Sequence, residues 1–260
     1  MGGGGAASGG TSSSSGGTSA ATGGLGGGGA TGGGGATGYN PCPTTAGTAC
    51  NVLPLGDSIT EGCCTAPMGG YRIELFRQAL ANRKNMTFVG SLTNGPDKVE
   101  NVSFPKKHEG HGGWTISQID GVVPSPALNT VPHIVLLMIG TNDLNGTMEA
   151  NASTRLGTLI DGITSAAPQA LVVVAGIIPS RSDSLNQKVM SYNSSMRTLI
   201  STRAAAGKHV AFIDQYATFS QNANYRTALM ADNLHPNDAG YVALGKAFYS
   251  AISAFLPAAP

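Results

Sequence analysis

Charged side chains are scarce in this sequence. Asp, Glu, Lys and Arg make up 11% of the 260 residues, against about 25% in an ordinary soluble domain. The 15 basic and 14 acidic residues nearly cancel, which leaves a net charge of +1. No stretch is strongly basic, so the sequence lacks the electrostatic footprint of a nucleic-acid-binding protein.

Long apolar segments are also lacking. The longest, Ile134–Ile139 and Ala170–Ile178, fall well short of the roughly 20 residues of a membrane-spanning helix, and they are typical of buried strands. The N-terminus has neither the basic start nor the apolar stretch of a signal peptide. An uncharged Gly/Ser/Thr segment ahead of a low-charge domain is nevertheless typical of exported enzymes, so we expect a secreted or cell-envelope location.

The first 40 residues differ in composition from the rest. They contain 19 of the 38 glycines and no charged side chain. Such a segment has little apolar surface to bury and loses much backbone entropy on ordering. We predict a disordered linker or tail over residues 1–40 and one domain over residues 41–260, which are enough for a single hydrophobic core.

Four cysteines are present: Cys42, Cys50, Cys63 and Cys64. An even number near the start of a domain suits two disulfides in an oxidising compartment. Three pairings are possible, and the sequence does not choose among them. Their spacing matches no common zinc-binding pattern.

Strand and helix patterns alternate along the predicted domain. The strands are solid apolar runs, which is typical of a parallel sheet covered on both faces. We predict a three-layer α/β/α sandwich with a five-stranded parallel sheet and right-handed crossovers. The predicted strands are 51–55, 86–89, 133–139, 171–175 and 209–213; the predicted helices are 71–81, 114–123, 152–166, 185–206 and 237–256; residues 90–113 form a predicted long loop.

Polar clusters stand next to these elements. Gly56–Ser58 follows the first predicted strand, Gly140–Asp143 follows the third, and Asp232–His235 precedes the last helix. Open α/β sheets bind ligands beyond the carboxyl ends of their strands. We therefore expect the three clusters to meet at one edge of the sheet.

Ser58, His235 and Asp232 carry the groups of a nucleophile, a base and the acid that orients the base. A serine hydroxyl is a weak nucleophile until a base takes its proton, and the base needs an orienting partner. Taken singly, Ser58 and Asp232 are better explained as helix caps. The hypothesis of a catalytic triad depends on the three clusters together.

An ester hydrolase also needs donors for the negative charge that develops on the carbonyl oxygen. The backbone N–H of Ser58, the side-chain amide of Asn142 and the backbone N–H of Gly110 are the predicted oxyanion donors. Asn142 and Gly110 taken alone are equally typical of turns. Gly112 and Gly113 remain alternatives to Gly110.

Polar neighbours of these residues have predicted supporting roles. Asp57 and Asp143 should brace their loops by accepting backbone hydrogen bonds. A metal site within residues 108–111 would need further ligands that the sequence does not show, so we predict neither metal nor cofactor. His111 is expected to line the substrate cleft, and Trp114 is either a core residue or a platform for a sugar.

Four ordered blocks of this chain resemble those of the GDSL/SGNH hydrolases. Leu55–Gly62 is similar to the first block, with Ile59 in place of the nominal Leu. Gly110–Gly112 resembles the second, Gly140–Asp143 the third, and the Asp232–His235 pair the fifth. The resemblance covers about residues 51–255 and implies a flavodoxin-like strand order without a cofactor. The roles that it implies are nucleophile and oxyanion donor for Ser58, base for His235, its partner for Asp232, and oxyanion donors for Gly110 and Asn142.

Two segments indicate which subfamily of these hydrolases the chain resembles. Gly69–Arg72 and Glu109–Trp114 look like those of carbohydrate esterase family 3 acetylxylan esterases, which remove acetyl groups from plant polysaccharide. The resemblance implies a serine esterase for small acyl esters such as acetylxylan. A lipase, a thioesterase, a rhamnogalacturonan acetylesterase and a non-catalytic carbohydrate-binding module remain alternatives. The polar loop at 94–113 disfavours a long-chain lipase, and the intact triad disfavours the binding module.

Overall fold

The computed structural model describes residues 1–5, 38–45 and 47–260. Most of the tail predicted over residues 1–40 lies outside the described residues, so that boundary stays a prediction. The strands are β1 Cys50–Gly56, β2 Met86–Phe88, β3 Leu92–Thr93, β4 Lys98–Val99, β5 Val102–Ser103, β6 Lys107–Gly110, β7 Ile134–Met138, β8 Leu171–Ala175 and β9 Val210–Ile213. The helices are α1 Ser58–Glu61, α2 Tyr71–Ala81, α3 Ile116–Asp120, α4 Thr141–Asn145, α5 Ala152–Ala166, α6 Asp183–Ala205, α7 Gln215–Ser220, α8 Tyr225–Ala228 and α9 Asp238–Ile252.

A parallel sheet forms the centre of the molecule. Among the described residues this sheet has seven strands. Five of them run in the order β2, β1, β7, β8, β9, each parallel to its neighbour, and β6 and β3 continue the sheet beside β1. All residues of β7 and β8 are buried, as expected for strands that are covered on both faces. The five predicted parallel strands and their flavodoxin-like order are confirmed.

Helices cover both faces of the sheet. On one face α2 packs against α9, and α9 packs against α7; on the other, α5 packs against α3 and α6. The buried side of α5 includes Leu156, Leu159, Ile160 and Ile163, which recur at the helical spacing read from the sequence. The predicted three-layer α/β/α sandwich is therefore confirmed. No helix within the described part of the chain is long and apolar enough to cross a membrane.

Residues 90–113 are not the long loop that the sequence predicts. It contains β3, β4, β5 and β6; β6 lies parallel to β1, and β3 pairs antiparallel with β6. The strand β6 escaped prediction because its buried side chains include the polar residues His108 and Glu109, which leave no apolar run. The short helices α1, α4, α7 and α8 were missed because a single turn has no detectable apolar period.

The segment before β1 contacts the domain. Cys42 and Cys50 form a disulfide, and the ring of Tyr39 stacks on that of His209 at a centroid distance of 3.7 Å. The Tyr39 hydroxyl also donates to the carbonyl oxygen of Gln169. The second disulfide joins the adjacent residues 63 and 64. The structure thus selects one of the three pairings that the sequence left open.

Candidate active site

Ser58 stands at the carboxyl end of β1, where the chain turns into α1. Asp57 caps that helix, because its Oδ1 accepts the N–H of Ile59 at 3.0 Å. Gly56 allows the neighbouring strand to approach closely, since a Cβ there would lie 2.1 Å from the carbonyl oxygen of Met138 in β7. The half-buried Ser58 side chain is therefore held at the edge of the sheet by its immediate neighbours.

The structure brings the three side chains of the predicted triad into one line. Ser58 Oγ lies 2.9 Å from His235 Nε2, although the residues are 177 positions apart. His235 Nδ1 lies 2.9 Å from Asp232 Oδ2. Both distances are those of hydrogen bonds, so a proton can pass from the hydroxyl to the imidazole while the carboxylate holds the other ring nitrogen.

Asp232 is held as a carboxylate by its own loop. Its Oδ1 accepts the backbone N–H groups of Leu234 and His235, each at 2.7 Å. Burial raises the pKa of this carboxyl, but the two N–H groups and the imidazole of His235 outweigh it and bring the pKa below its ordinary value. A carboxylate bonded to Nδ1 favours the tautomer that leaves Nε2 free to act as a base.

Asn142 faces the same edge from α4, directly after β7. Its Nδ2 donates one hydrogen bond to the carbonyl oxygen of Trp114 at 2.8 Å. The amide carries a second hydrogen, which has no acceptor among the described residues. Asn142 therefore has a donor to offer, and its first bond fixes the orientation of the amide.

The surroundings of Gly110 differ from those that its predicted role as an oxyanion donor requires. It is buried in β6, and its backbone N–H already donates to His108 Nδ1 at 3.0 Å. A Cβ at this position would lie 2.2 Å from the backbone nitrogen of Glu61. The missing side chain thus allows α1 to pack closely on β6, and the N–H points to His108. This arrangement argues against Gly110 as an oxyanion donor.

Gly112 and Gly113, the two alternatives, are exposed at the end of β6. Neither N–H has a hydrogen-bond acceptor in the part of the chain that the structure describes. Gly113 has a φ of +78°, a left-handed conformation that favours glycine. It immediately precedes Trp114, whose carbonyl oxygen binds the amide of Asn142, so Gly113 lies next to the other predicted donor.

Asp143 braces the loop that carries Asn142. Its Oδ2 accepts the N–H of Ile116 at 2.9 Å, and its Oδ1 accepts from Arg155 at 2.8 Å. Asp57 and Asp143 both accept backbone hydrogen bonds, which confirms the expectation for them. The ion pair with Arg155 was not predicted, because nothing in the spacing of the two residues marks it.

Arg72 was also missed as a supporting residue. It is fully buried in α2, and its guanidinium donates to the carbonyl oxygens of Thr60 at 3.3 Å and Glu61 at 3.1 Å. Burial lowers its pKa to about 10, so it stays charged at neutral pH. Arg72 thus holds the carboxyl end of α1, and the only sequence signal for it is the Gly69–Arg72 segment.

A stacked pair of rings lies near Asn142. The imidazole of His111 stacks on the indole of Trp114 at a centroid distance of 3.9 Å. His111 Nε2 lies 3.0 Å from Oε2 of the buried Glu109. Burial raises the pKa of Glu109, but hydrogen bonds from His111 and Ser91 bring it below its ordinary value. Both rings are partly exposed, so they are packed and still accessible.

Comparison with known proteins agrees with this geometry. The model of the GDSL-like Lipase/Acylhydrolase family matches residues 55–243. The chain is 28% identical over 241 residues to a multidomain esterase of Ruminococcus flavefaciens, a match that covers 83% of this chain and 30% of that protein. The chain thus spans less than a third of the length of this curated relative.

Two solved structures are similar in both fold and sequence. A Clostridium thermocellum family 3 carbohydrate esterase is 33% identical, with a TM-score of 0.68 and coverage of 80% of this chain and 96% of that chain. A carbohydrate esterase family 3 protein from Talaromyces cellulolyticus is 26% identical, with a TM-score of 0.62 and coverage of 79% and 99%. With a family model that matches from the end of β1 into α9, this chain belongs to the GDSL-like lipase/acylhydrolase family.

Proposed function

We propose that this protein is an exported serine esterase that removes acetyl groups from plant polysaccharide, with acetylxylan as the representative substrate. The observation that carries the proposal is the line from Ser58 Oγ to His235 Nε2 and from His235 Nδ1 to Asp232 Oδ2, with both distances 2.9 Å. This arrangement is the one that nucleophilic acyl transfer requires.

In the proposed reaction Ser58 attacks the carbonyl carbon of the ester while His235 Nε2 takes the hydroxyl proton. The tetrahedral intermediate collapses, and His235 returns the proton to the departing sugar oxygen. Water, deprotonated by His235, then releases acetate from Ser58. Asp232 keeps its charge throughout and stabilises the imidazolium through Nδ1. These residues complete the cycle without a cofactor.

The negative oxygen of the intermediate is proposed to lie among three donors: the N–H of Ser58, the N–H of Gly113 and the amide of Asn142. We choose Gly113 over Gly110 because the Gly110 N–H is bonded to His108 Nδ1. Gly112 is less suitable, since a Cβ there would lie 2.7 Å from the carboxylate oxygen of Glu61, and a nearby carboxylate repels an oxyanion.

The substrate class is proposed from the similar proteins and from the stacked rings of His111 and Trp114. The names of the two similar structures designate carbohydrate esterases. The partly exposed His111–Trp114 stack supplies an aromatic face with a polar edge, which suits a sugar ring. An exported location would agree with a polymeric plant substrate and with two disulfides.

The decisive experiment measures acetate release from acetylated xylan by the wild type and by Ser58→Ala. We expect turnover to fall by at least about 10⁴-fold, since the nucleophile is removed. Ser194→Ala is the matched control, because Ser194 is exposed on α6 and should leave turnover unchanged. Undiminished acetate release by Ser58→Ala would refute the mechanism.

A series of p-nitrophenyl esters separates the proposal from the alternatives. An acetylesterase should lose activity steeply as the acyl chain lengthens from acetate to octanoate, whereas a lipase should gain. Thioesters and acetylated rhamnogalacturonan, tested at the same enzyme concentration, cover the other two activities. Binding to xylan with no release of acetate would favour a non-catalytic binding module.

A further inference from the structure

The disulfide between Cys63 and Cys64 lies against the proposed catalytic base. The ligand atoms of Cys63, Cys64 and His235 lie within 4.8 Å of one another, and Cys64 Sγ is 3.9 Å from Asp232 Oδ2. Cys64 has a left-handed φ of 72°, so the chain turns sharply after α1 at this point. Both sulfurs therefore face the imidazole, and the proposed mechanism has no use for either.

Two thiolates and an imidazole are a ligand set for Zn²⁺. A tetrahedral site with Zn–S bonds of about 2.3 Å and a Zn–N bond of about 2.0 Å separates its ligand atoms by roughly 3.3–3.8 Å. The observed cluster is within reach of that geometry. Asp232, beside Cys64, offers an oxygen as a fourth ligand, and water is the other choice. While the sulfurs are joined to each other, neither is a thiolate, so the site is closed.

The two disulfides differ in access. Cys64 is exposed and Cys63 is partly exposed, whereas Cys42 and Cys50 are 4% and 0% exposed. A soluble dithiol must reach a sulfur atom to attack it. The bond beside His235 should therefore be reduced before the buried one, and reduction can open the cluster while Cys42–Cys50 stays intact.

We infer that Cys63 and Cys64 form a redox-gated inhibitory site for Zn²⁺, completed by His235. A dithiol attacks the disulfide, the S–S bond breaks, two electrons and two protons pass to the sulfurs, and the dithiol leaves as a cyclic disulfide. Zn²⁺ then binds both sulfurs and an imidazole nitrogen and displaces the two thiol protons into solvent. In the reverse direction a small disulfide accepts two electrons from the two zinc-bound sulfurs and leaves as thiols, which restores the S–S bond and releases the ion.

Bound Zn²⁺ would inhibit the esterase activity. A metal ion on Nε2 takes the lone pair that must accept the Ser58 proton, and an ion on Nδ1 replaces the hydrogen bond between the imidazole and Asp232. This consequence rests on the proposed function of His235, whereas binding of the metal does not. The two parts are therefore measured separately.

Binding is measured with Co²⁺ as a spectroscopic substitute for Zn²⁺. The full chain, untreated or reduced with dithiothreitol and then desalted without oxygen, is titrated with Co²⁺. We expect thiolate-to-cobalt charge-transfer absorption only in the reduced protein, together with two titratable thiols. Cys63→Ser/Cys64→Ser, treated in the same way, should show no such absorption. Ser58→Ala should retain it, so the site is detectable in protein that has no esterase activity.

Inhibition is measured with p-nitrophenyl acetate as the substrate. Free Zn²⁺ at about ten times its dissociation constant should lower the activity of the reduced wild type about tenfold, the ratio set by mass action. At the same free Zn²⁺ concentration, the activity of the oxidised wild type and of the reduced Cys63→Ser/Cys64→Ser protein should fall less than about twofold, because neither has the two thiolate ligands. Circular dichroism establishes that the variant is folded, and Cys64→Ser alone serves if it is not.

Two results would overturn the inference. One is reduced wild type with two free thiols and no cobalt–thiolate absorption. The other is equal inhibition by Zn²⁺ of the wild type and of Cys63→Ser/Cys64→Ser. Failure of the proposed esterase function would appear differently, as an inactive wild type whose Co²⁺ spectrum is still that of a thiolate site.

Discussion

Two aspartates close to Ser58 have pKa values shifted in opposite directions, and their hydrogen bonds explain why. Asp232 Oδ1 accepts two backbone N–H groups and Oδ2 faces His235, so its charged form is stabilised. Asp57 is buried, and its Oδ2 has no hydrogen-bond partner of normal geometry among the described residues. Burial raises the pKa of Asp57 to about 6. At neutral pH both carboxyls are mostly ionised, but Asp57 takes up a proton at a higher pH than Asp232 does.

The raised pKa of Asp57 predicts a pH-dependent stability. A carboxyl whose folded pKa of about 6 exceeds its ordinary 3.8 binds more protons in the folded state, so its contribution to stability falls as pH rises between those values. Asp57→Asn cannot ionise and still offers an oxygen to the Ile59 N–H. Relative to this variant, the wild type should lose up to about 3 kcal/mol of unfolding free energy between pH 4 and pH 7.

Urea denaturation at several pH values measures this difference. Asp120→Asn, which removes one carboxyl away from the triad, is the control for the loss of a negative charge. A gap between wild type and Asp57→Asn that is constant across this pH range would contradict the assignment of a raised pKa to Asp57.

Asn142→Ala tests one oxyanion donor. Loss of a single donor should reduce kcat by about 100-fold or more, with little effect on KM, because the bond forms to charge that develops in the transition state. Asn145→Ala is the matched control, since Asn145 ends the same short helix and is exposed. Steady-state kinetics with p-nitrophenyl acetate give both parameters. A loss in kcat no larger than that of the control would remove Asn142 from the proposed hole.

At the scale of elements, the site depends on how closely α1 approaches β6. Gly110 in β6 leaves room for the backbone of Glu61, while Arg72 in α2 binds the carbonyl oxygens at the end of α1. The contact with Gly110 fixes α1 against the sheet, and the hydrogen bonds from Arg72 fix it against α2. Because α1 begins with Ser58, both contacts fix the nucleophile without touching substrate.

Gly110→Ala should therefore destabilise the fold. The added Cβ would lie 2.2 Å from the Glu61 nitrogen, and overpacking of this kind costs roughly 1–3 kcal/mol or more. Gly162→Ala provides the contrast, because Gly162 lies within α5 and its nearest neighbouring atom would be 3.9 Å from the new Cβ. Replacing a glycine inside a helix should stabilise by about 0.5–1 kcal/mol. Urea midpoints measure both, and equal stability of Gly110→Ala and wild type would contradict the close packing.

At the scale of the whole molecule, the N-terminal boundary of the domain can be tested by truncation. A chain that begins at Gly38 retains the Tyr39–His209 stack and the Cys42–Cys50 disulfide. It should unfold at the same temperature as the full chain, because the removed segment is the predicted linker. A lower unfolding temperature for this chain would show that the first 37 residues contribute to the folded domain.

A second truncation shows whether the measurement is sensitive enough. A chain that begins at Thr44 and carries Cys50→Ala loses both contacts. The disulfide closes a loop between residues 8 positions apart, and such a loop is worth about 2–3 kcal/mol. The expected decrease in unfolding temperature is at least about 4 °C for a domain of this size, measured by calorimetry.

Elements with a local sequence signal could be predicted before the structure was known. The solid apolar runs of β1, β7 and β8 predict buried parallel strands, and the periodic apolar side of α5 predicts its bounds. Both signals exist because burial on one or both faces of an element requires apolar residues at regular intervals along the sequence. The three polar clusters could be placed at one sheet edge because parallel strands share a direction. The identities of Ser58, His235 and Asp232 as candidates required nothing more.

Features that depend on distances between remote segments could be read from the folded chain alone. The bond of the Gly110 N–H to His108, the burial of polar β6, the pairing of Cys63 with Cys64 and their place beside His235 have no local pattern. The physical reason is that the apolar period records which side of an element is buried, whereas a hydrogen bond or a metal site depends on where two loops cross. That crossing is fixed by the packing of the entire sheet and its helices.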